Sequence, residues 1–174
     1  MLQSGAMLAK LAYQLILQER ERELVSTFRG RAHHKMDAKG RVALPAKYRT
    51  RLAGSHLVLV NGRDNCLWLM TEDEYVKLTA ELTVPELSAQ LDQRRALLQE
   101  VFISGAEDVE VDSAGRIRIP AHMRTYASLS KEVTFAGKGP RLELWDGEKY
   151  DARLANLSLE DAFNPPAPDT TQDI

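Results

Sequence analysis

Cysteine is almost missing from this chain of 174 residues, which has one, Cys66. A single thiol excludes a disulfide framework and a thiolate metal cluster, and it suits a reducing compartment. Long apolar runs are missing too, since none reaches the roughly 18 residues that a membrane-spanning helix needs. No nucleophile or metal-binding motif occurs either. The sequence therefore predicts no membrane association, no enzyme activity and no cofactor, metal or small-molecule substrate.

The chain contains one sequence motif that occurs twice. The run DAKGRVALPAKYR begins at Asp37 and DSAGRIRIPAHMR begins at Asp112, an offset of 75 positions. The same offset relates Tyr75 to Tyr150. A gapless offset over this length indicates two copies of one supersecondary unit. Because about 50 residues form only a marginal core alone, the two copies should pack against each other or against other subunits.

Positive charge is concentrated in the first copy. The net charge of the whole chain is only −2, yet residues 29–51 carry eight Lys or Arg residues against the single acid Asp37. Residues 103–154, in the second copy, carry eight bases and nine acids. A concentrated basic segment is typical of a protein that binds a polyanion. A solvated basic face that is balanced by acids elsewhere would explain the charge equally well.

The two copies divide the chain into five segments. They are an N-terminal extension (1–26), repeat one (27–80), a helical linker (81–104), repeat two (105–154) and a C-terminal tail (155–174). Leucines at helical spacing and charges of alternating sign predict a helix in the extension. Its Pro, Thr and Asp content predicts that the tail is largely disordered.

Each repeat is predicted to contain the same series of elements. In repeat one they are a strand ending at Met36, a turn over 37–40, a strand over 41–44, a helix over 46–52, strands over 57–60 and 67–70, and a helix from 72 through 82. Alternating or continuous apolar residues indicate the strands. Pro45 and the capping-box residue Thr71 indicate the two helix starts. A further helix is predicted from Pro85 to Phe102 in the linker.

The repeated motif combines turn residues with an arginine. The turn residues are Asp37 and Gly40 in repeat one, and Asp112 and Gly115 in repeat two. Asp at the first position and Gly at the fourth are typical of a type I turn with a left-handed Gly, which joins strands in a hairpin with a bulge. Each Asp can also pair with the arginine four residues later, Arg41 or Arg116. A rigid two-stranded element with oriented arginines fits a DNA major groove.

Plainer interpretations stand beside these. The two turn aspartates could suggest a catalytic carboxylate pair, but turn formation explains them better. Adjacent His33 and His34 would point to opposite faces of a strand and so could not readily chelate a metal together. Trp68 and Trp145 are predicted to anchor a core or an interface. Cys66 is predicted to be an inert buried residue.

The chain resembles a known family through several of these stretches: FRG at 28–30, DAKGR, VALPAKYR, the second copy of the motif and LELWD at 142–146. Over about residues 27–154 it is similar to the MraZ family of the AbrB-like DNA-binding superfamily. The resemblance implies an α+β fold, a tandem AbrB-like swapped-hairpin β-barrel built from two internal repeats with flanking helices. It also implies a ring-shaped homo-oligomer in the cytoplasm, associated with the nucleoid. Such a ring would be a sequence-specific transcriptional regulator that binds double-stranded DNA at repeated promoter boxes upstream of the division and cell-wall gene cluster.

The resemblance and the basic segment together supply the predicted DNA contacts. The predicted DNA-binding residues are Arg29, Arg31, Lys39, Arg41, Lys47 and Arg116. The resemblance links Arg41 to DNA binding and matches Arg29, Lys39 and Arg116 to further family positions. Repeat two has Ala114 where repeat one has its turn lysine, so repeat one should dominate phosphate contact.

Two alternatives stay open at this level. The 26-residue extension has no counterpart in the family, and it is either a functional arm or the product of a start codon assigned too far upstream. The AbrB-like fold also occurs in antidotes that neutralise toxins. The alternative function is therefore an antidote-like protein-interaction module without direct sequence readout.

Overall fold

The structure is a computed structural model, and it describes residues 10, 13–15, 28–84, 92–158, 160 and 163. Residues 10 and 13–15 are helical. The predictions for the other residues of the extension, for 85–91 of the linker and for most of the tail lie outside the described residues. The five segment boundaries stay predictions.

Repeat one contains the elements that its sequence predicts. They are β1 (Arg31–Lys35), β2 (Arg41–Ala43), α1 (Ala46–Leu52), β3 (Leu57–Asn61), β4 (Leu67–Thr71) and α2 (Glu72–Thr79), with 3₁₀ turns at Arg63–Asn65 and Ala80–Leu82. Both predicted helix starts are confirmed. Pro45 is the N-cap of α1 at φ −54°, and the Thr71 hydroxyl accepts a hydrogen bond of 3.5 Å from the Glu74 amide.

The linker and repeat two continue the same plan. Their elements are α3 (Gln93–Gln99), a π-helical turn (Glu100–Ser104), β5 (Glu107–Val109), β6 (Arg116–Arg118), α4 (Ala121–Tyr126), β7 (Glu132–Gly137), β8 (Leu142–Asp146) and α5 (Gly147–Ala155). The Asp92 carboxylate caps α3 by accepting a 2.9 Å hydrogen bond from the Arg94 amide. The linker helix is thus confirmed for its described part.

The repeats are joined by strand exchange. Six antiparallel strands form one sheet in the order β1-β7-β8-β4-β3-β5. In this order β1 of repeat one pairs with β7 of repeat two, and β5 of repeat two pairs with β3 of repeat one. The equivalent strands β4 and β8 meet at the centre. The prediction of an α+β fold with two repeated modules is therefore confirmed.

One finer prediction of the fold needs correction. The hydrogen-bonded strands of the described residues form an open sheet, so the predicted β-barrel is not closed. The predicted hairpin turn joins β1 to β2, with an isolated bridge between Met36 and Val42 and a 2.8 Å hydrogen bond from the Asp37 amide to the Arg41 carbonyl. Beyond this short contact, β2 pairs with its counterpart β6 in a separate two-stranded ribbon. Backbone hydrogen bonds from Leu44 to Gly115 and from Ile119 to Gly40 extend this ribbon at both ends.

Apolar side chains fill both faces of the large sheet. On one face, the first core packs the ribbon against the sheet, with Val42, Ile117 and Phe135 fully buried. On the other face, the second core contains both tryptophans, Trp68 and Trp145, near the helical residues that cover it. Burial of this apolar area is the main favourable term for folding. The ribbon, α1 and α4 lie on one side of the sheet, and α2, the π-helical turn and α5 lie on the other, which we call the helical side.

Candidate nucleic-acid interface

The turn of repeat one holds Arg41 in a fixed direction. Asp37 Oδ1 accepts hydrogen bonds of 2.9 Å from the amides of Lys39 and Arg41, and Oδ2 accepts one of 2.8 Å from Arg41 Nε. The Gly40 amide donates to the Asp37 carbonyl at 3.0 Å, and Gly40 has the left-handed φ of +75°. The predicted turn is confirmed. One carboxylate thus fixes both the loop and the guanidinium.

The turn of repeat two repeats this clamp atom for atom. Asp112 Oδ1 accepts from the Ala114 and Arg116 amides at 2.9 Å, and Oδ2 accepts from Arg116 Nε at 2.8 Å. Arg116 Nη1 also lies 4.0 Å from Asp37 Oδ2. The two clamped arginines therefore lie side by side, with one carboxylate near both.

Both clamping carboxylates are held in the ionised form. The hydrogen bond from the Arg41 amide is the main cause that lowers the pKa of Asp37 below 3.8, and the Arg41 guanidinium and Lys39 amide act in the same direction against desolvation. The Arg116 amide likewise lowers the pKa of Asp112. A charged acceptor makes these hydrogen bonds stronger than neutral ones. The clamps are therefore intact at neutral pH.

The β2–β6 ribbon presents three arginines on its outer face. In its register Arg41 lies opposite Arg118, and Ala43 lies opposite Arg116. The central pair points into the first core and is fully buried. Because side chains alternate along a strand, all three arginines point away from that core. The side chains of Arg41 and Arg116 are 32% and 34% exposed, which leaves them accessible but restrained.

An arginine from the opposite repeat borders each turn. A Cβ atom added to Gly40 would lie 2.9 Å from Arg124 Nε, and one added to Gly115 would lie 3.0 Å from Arg49 Nε. Arg49 Nε also donates to the Leu44 carbonyl at 2.8 Å. The two turns thus each bring together the clamped arginine of one repeat and a second arginine of the other.

The structure separates the predicted DNA-binding residues into groups. Lys39, Arg41 and Arg116 lie together at the turns and the ribbon. Arg29 and Lys47 form a second group, in which Lys47 Nζ donates to the Arg29 carbonyl at 3.4 Å. These two side chains are exposed.

The side chain of Arg31 points toward the second core, away from both of these groups. Its guanidinium lies 5.7 Å from the centre of the Tyr150 ring, and Tyr150 belongs to the second core. On the same strand His33 contacts Thr134 at 2.9 Å, whereas His34 meets the Phe135 ring in the first core. The alternation predicted for the two histidines is therefore confirmed, and it directs Arg31 away from the ribbon.

Three arginines of the interface were not among the DNA-binding residues predicted from the sequence. Arg49 and Arg124 close the two copies of the repeated motif at equivalent positions, and that identity was a usable signal. Arg118 stands where repeat one has Ala43, so comparison of the repeats gives no hint of it. Only the pairing of β2 with β6 shows that Arg118 faces Arg41.

Acidic residues of repeat two lie beside the ribbon. A groove there is lined by Arg41, Arg118 and Arg124 but also by Asp108 and Glu110. The equivalent positions of repeat one hold His33 and Lys35. Because Arg41 shares this groove, the two carboxylates would repel a polyanion near the arginines of both turns.

The part of the chain that the structure describes has neither a metal-binding cluster nor a membrane-spanning helix. No group of three or more His, Cys, Asp or Glu side chains there is arranged to hold a metal ion. None of its helices combines the length and apolarity that crossing a bilayer requires. Cys66 is buried, and this burial raises the pKa of its thiol to about 12.

Comparison with known proteins gives the same family twice along the chain. The family model described as "MraZ protein, putative antitoxin-like" matches residues 27–99 and again residues 102–173. A protein of Alkaliphilus oremlandii named "Transcriptional regulator MraZ" is 42% identical over 140 residues, which are 79% of this chain and 94% of that protein. A protein of the same name from Nitrosomonas europaea is 40% identical over 144 residues, with 80% and 95% covered. One from Bifidobacterium longum is 36% identical over 140 residues, with 80% and 89% covered.

Proposed function

This chain belongs to the MraZ family, and we propose that it is a transcriptional regulator that binds double-stranded DNA with the outer face of the β2–β6 ribbon. The name of its relatives, "Transcriptional regulator MraZ", supports the regulatory role. One observation carries the DNA contact: arginines on adjacent strands point outward, and two of them are clamped by carboxylates. Nothing in this role requires a catalytic step.

The chemistry of the ribbon suits groove readout. A two-stranded ribbon fits the major groove, and a bidentate arginine–guanine pair is the commonest specific contact there. Arg41, Arg116 and Arg118 are the residues placed to make such contacts. Lys39, Arg29 and Lys47 would contact phosphates, together with Arg31 if the DNA extends around the sheet edge. Phosphate contacts supply affinity, and base contacts supply sequence preference.

The same proposal includes assembly into a ring of identical subunits. Val76 of α2 and Leu97 of α3 are 58% and 69% exposed, and a neighbouring subunit would cover such apolar surface. The strand exchange between repeats is the pattern expected of a swapped-hairpin fold. Several ribbons on one ring would engage repeated promoter boxes with high effective concentration. We place these boxes upstream of the division and cell-wall gene cluster, and the ring in the cytoplasm at the nucleoid.

Substitution of Arg41 tests the proposal. Arg41→Ala removes one clamped arginine and should weaken binding to the DNA upstream of the protein's own gene by about 10- to 100-fold, the value of one bidentate base contact. Fluorescence anisotropy measures the affinity, and light scattering after gel filtration checks that the assembly is unchanged.

Arg94→Ala is the matched control, because Arg94 is an exposed arginine of α3 on the helical side. It should bind the same DNA as tightly as the unmodified protein. Equal affinity of the Arg41→Ala variant and the unmodified protein would show that the ribbon is not the DNA-binding surface.

A second candidate function is an antidote-like protein-interaction module. The words "putative antitoxin-like" in the description of the matching family model favour it. Salt dependence separates the two candidates. DNA affinity that depends on phosphate contacts falls steeply between about 50 and 200 mM salt, whereas a module without DNA contact would give no salt-sensitive footprint on that DNA.

A further inference from the structure

A cavity of about 270 Å³ lies on the helical side of the sheet, opposite the ribbon. Its floor is formed where β4 meets β8, and there Trp68 lies directly opposite Glu143. These two residues are equivalent in the repeats, since they differ by the offset of 75 positions. The cavity therefore lies where the two halves of the molecule meet, between the β3–β4 and β7–β8 turns.

The two carboxylates that line this cavity already have partners. Glu143 is 8% exposed, and it accepts a 3.1 Å hydrogen bond from Trp145 Nε1 and lies 3.4 Å from Arg141 Nη2. Asp64 pairs with Arg153 at 3.0 Å. Each carboxylate is thus matched by one guanidinium.

Two further cations line the cavity and leave it with a surplus of positive charge. They are Arg63 and Lys138, which are also equivalent in the two repeats. Both side chains are exposed, and neither has an acidic partner among the residues that the structure describes. In addition, the buried Nε of Arg141 has no hydrogen-bond acceptor within that part of the chain. A cavity with unpaired donors and uncompensated cations is suited to an anion.

We propose that this cavity binds a small phosphate-bearing anion of about the size of pyrophosphate. Guanidinium groups donate two parallel hydrogen bonds to phosphate oxygens, and a lysine adds a point charge. A nucleobase is disfavoured because the indole rings are already covered: the Arg141 guanidinium lies 3.9 Å from the Trp68 ring centre, and Arg153 lies 5.1 Å from that of Trp145. The ligand is therefore recognised by its charge.

The tryptophans provide a direct test. Trp68 and Trp145 are the only tryptophans of the chain, and both line the cavity. Titration of the full chain with sodium pyrophosphate at constant ionic strength should give a saturable change in intrinsic fluorescence. The double substitution Arg63→Ala/Lys138→Ala should weaken the apparent affinity at least tenfold. Lys131→Ala, an exposed lysine outside the cavity, should leave the response unchanged.

Three controls keep the outcome interpretable. Thermal unfolding followed by circular dichroism checks that the double variant is folded, and Arg63→Lys should retain most of the response. Arg41→Ala should retain all of it, so that failure of the DNA-binding proposal and failure of this one are distinguishable. A change that NaCl reproduces, or an unaltered response in the folded double variant, would overturn the proposal. The proposal would also be overturned if duplex DNA changed the tryptophan fluorescence and pyrophosphate did not, or if the double substitution changed only the assembly state. Either result would assign Arg63 and Lys138 to a macromolecular contact.

Discussion

Asp37 and Asp112 perform two tasks that are usually given to different residues. Each carboxylate closes its turn by accepting two backbone hydrogen bonds, and each also orients an arginine through its second oxygen. Turn formation and the positioning of Arg41 and Arg116 are therefore coupled. A substitution that relaxes the loop also frees the guanidinium, which would increase the entropy that it loses on contact with DNA.

This coupling predicts that Asp37 contributes to the free energy of unfolding in a way that depends on pH. Because the pKa of Asp37 is lower in the folded protein than the ordinary value of 3.8, its ionised form stabilises the fold fully above that value. The contribution is lost as the pH falls through the lower folded pKa. Asp37→Asn should therefore be less stable than the unmodified protein at pH 6, and the difference should shrink below about pH 4.

Urea unfolding between pH 2.5 and 6 measures this difference. Asp151→Asn, which removes an exposed carboxylate of α5, controls for the change in net charge. A stability difference for Asp37→Asn that stays constant down to pH 2.5 would contradict the assignment of the carboxylate as an ionised clamp.

Among the elements, those encoded by neighbouring residues were predicted and those that depend on distant pairing were not. The turn over 37–40 and the helix Ala46–Leu52 follow from Asp, Gly and Pro at fixed positions, and both are confirmed. The partner of β2 is not encoded locally, because an alternating strand fits any neighbour with a complementary apolar face. That pairing decides which arginines share a surface. For this reason Arg41 was predicted as a site residue, whereas Arg118 was found only in the structure.

The contact between each turn and the opposite arginine predicts a difference between two glycines. Gly40 has a φ of +75° and Gly54 has a φ of +74°. A Cβ atom added to Gly40 would lie 2.9 Å from Arg124, whereas one added to Gly54 would meet nothing within 4 Å. Both Gly→Ala substitutions should lose about 1 to 2 kcal/mol of unfolding free energy through the left-handed conformation. Gly40→Ala should lose somewhat more, because its Cβ would also lie 3.2 Å from the Ile119 carbonyl oxygen. Only Gly40→Ala should also displace Arg124 and weaken DNA binding.

Chemical denaturation gives the two stabilities, and anisotropy with the same promoter DNA gives the affinities. The comparison is matched because the backbone penalty is common to both variants. If Gly54→Ala weakened DNA binding as much as Gly40→Ala, the loss would reflect general destabilisation, and the expectation that the position of Arg124 beside the turn affects DNA binding would be wrong.

For the molecule as a whole, strand exchange predicts that the two repeats unfold as a single cooperative unit. Within one repeat only β3 and β4, or β7 and β8, pair with each other, because β1 has its ladder partner in repeat two and β5 has its partner in repeat one. The ribbon likewise needs one strand from each. A duplication that is visible in the sequence as two units is thus one unit in the folded chain, and both ends of the ribbon are held by the same cores.

This interlocking predicts that equivalent core substitutions in the two repeats have the same global effect. Leu69 of β4 and Leu144 of β8 are equivalent and are 1% and 0% exposed. They lie in adjacent strands at the centre of the sheet. Leu69→Ala and Leu144→Ala should each cost about 2 to 5 kcal/mol through the cavity that they leave. Either substitution should lower the midpoint of one shared transition for all parts of the molecule, because the first core draws its side chains from both repeats.

Thermal unfolding monitored by circular dichroism and native-state hydrogen exchange, with amides assigned in both repeats, would measure this. In each variant, the slowest amides of β3 and those of β7 should exchange faster by the same factor. The reason is that β3 pairs with β5 of repeat two and β7 pairs with β1 of repeat one, so neither repeat can open without exposing a strand of the other. Tryptophan fluorescence adds a second probe at the junction of the halves, and its midpoint should coincide with that of circular dichroism. Two separate transitions, with Leu69→Ala loosening β3 while β7 stayed protected, would mean that the repeats fold independently and that the ribbon between them is not held rigidly enough to direct its arginines.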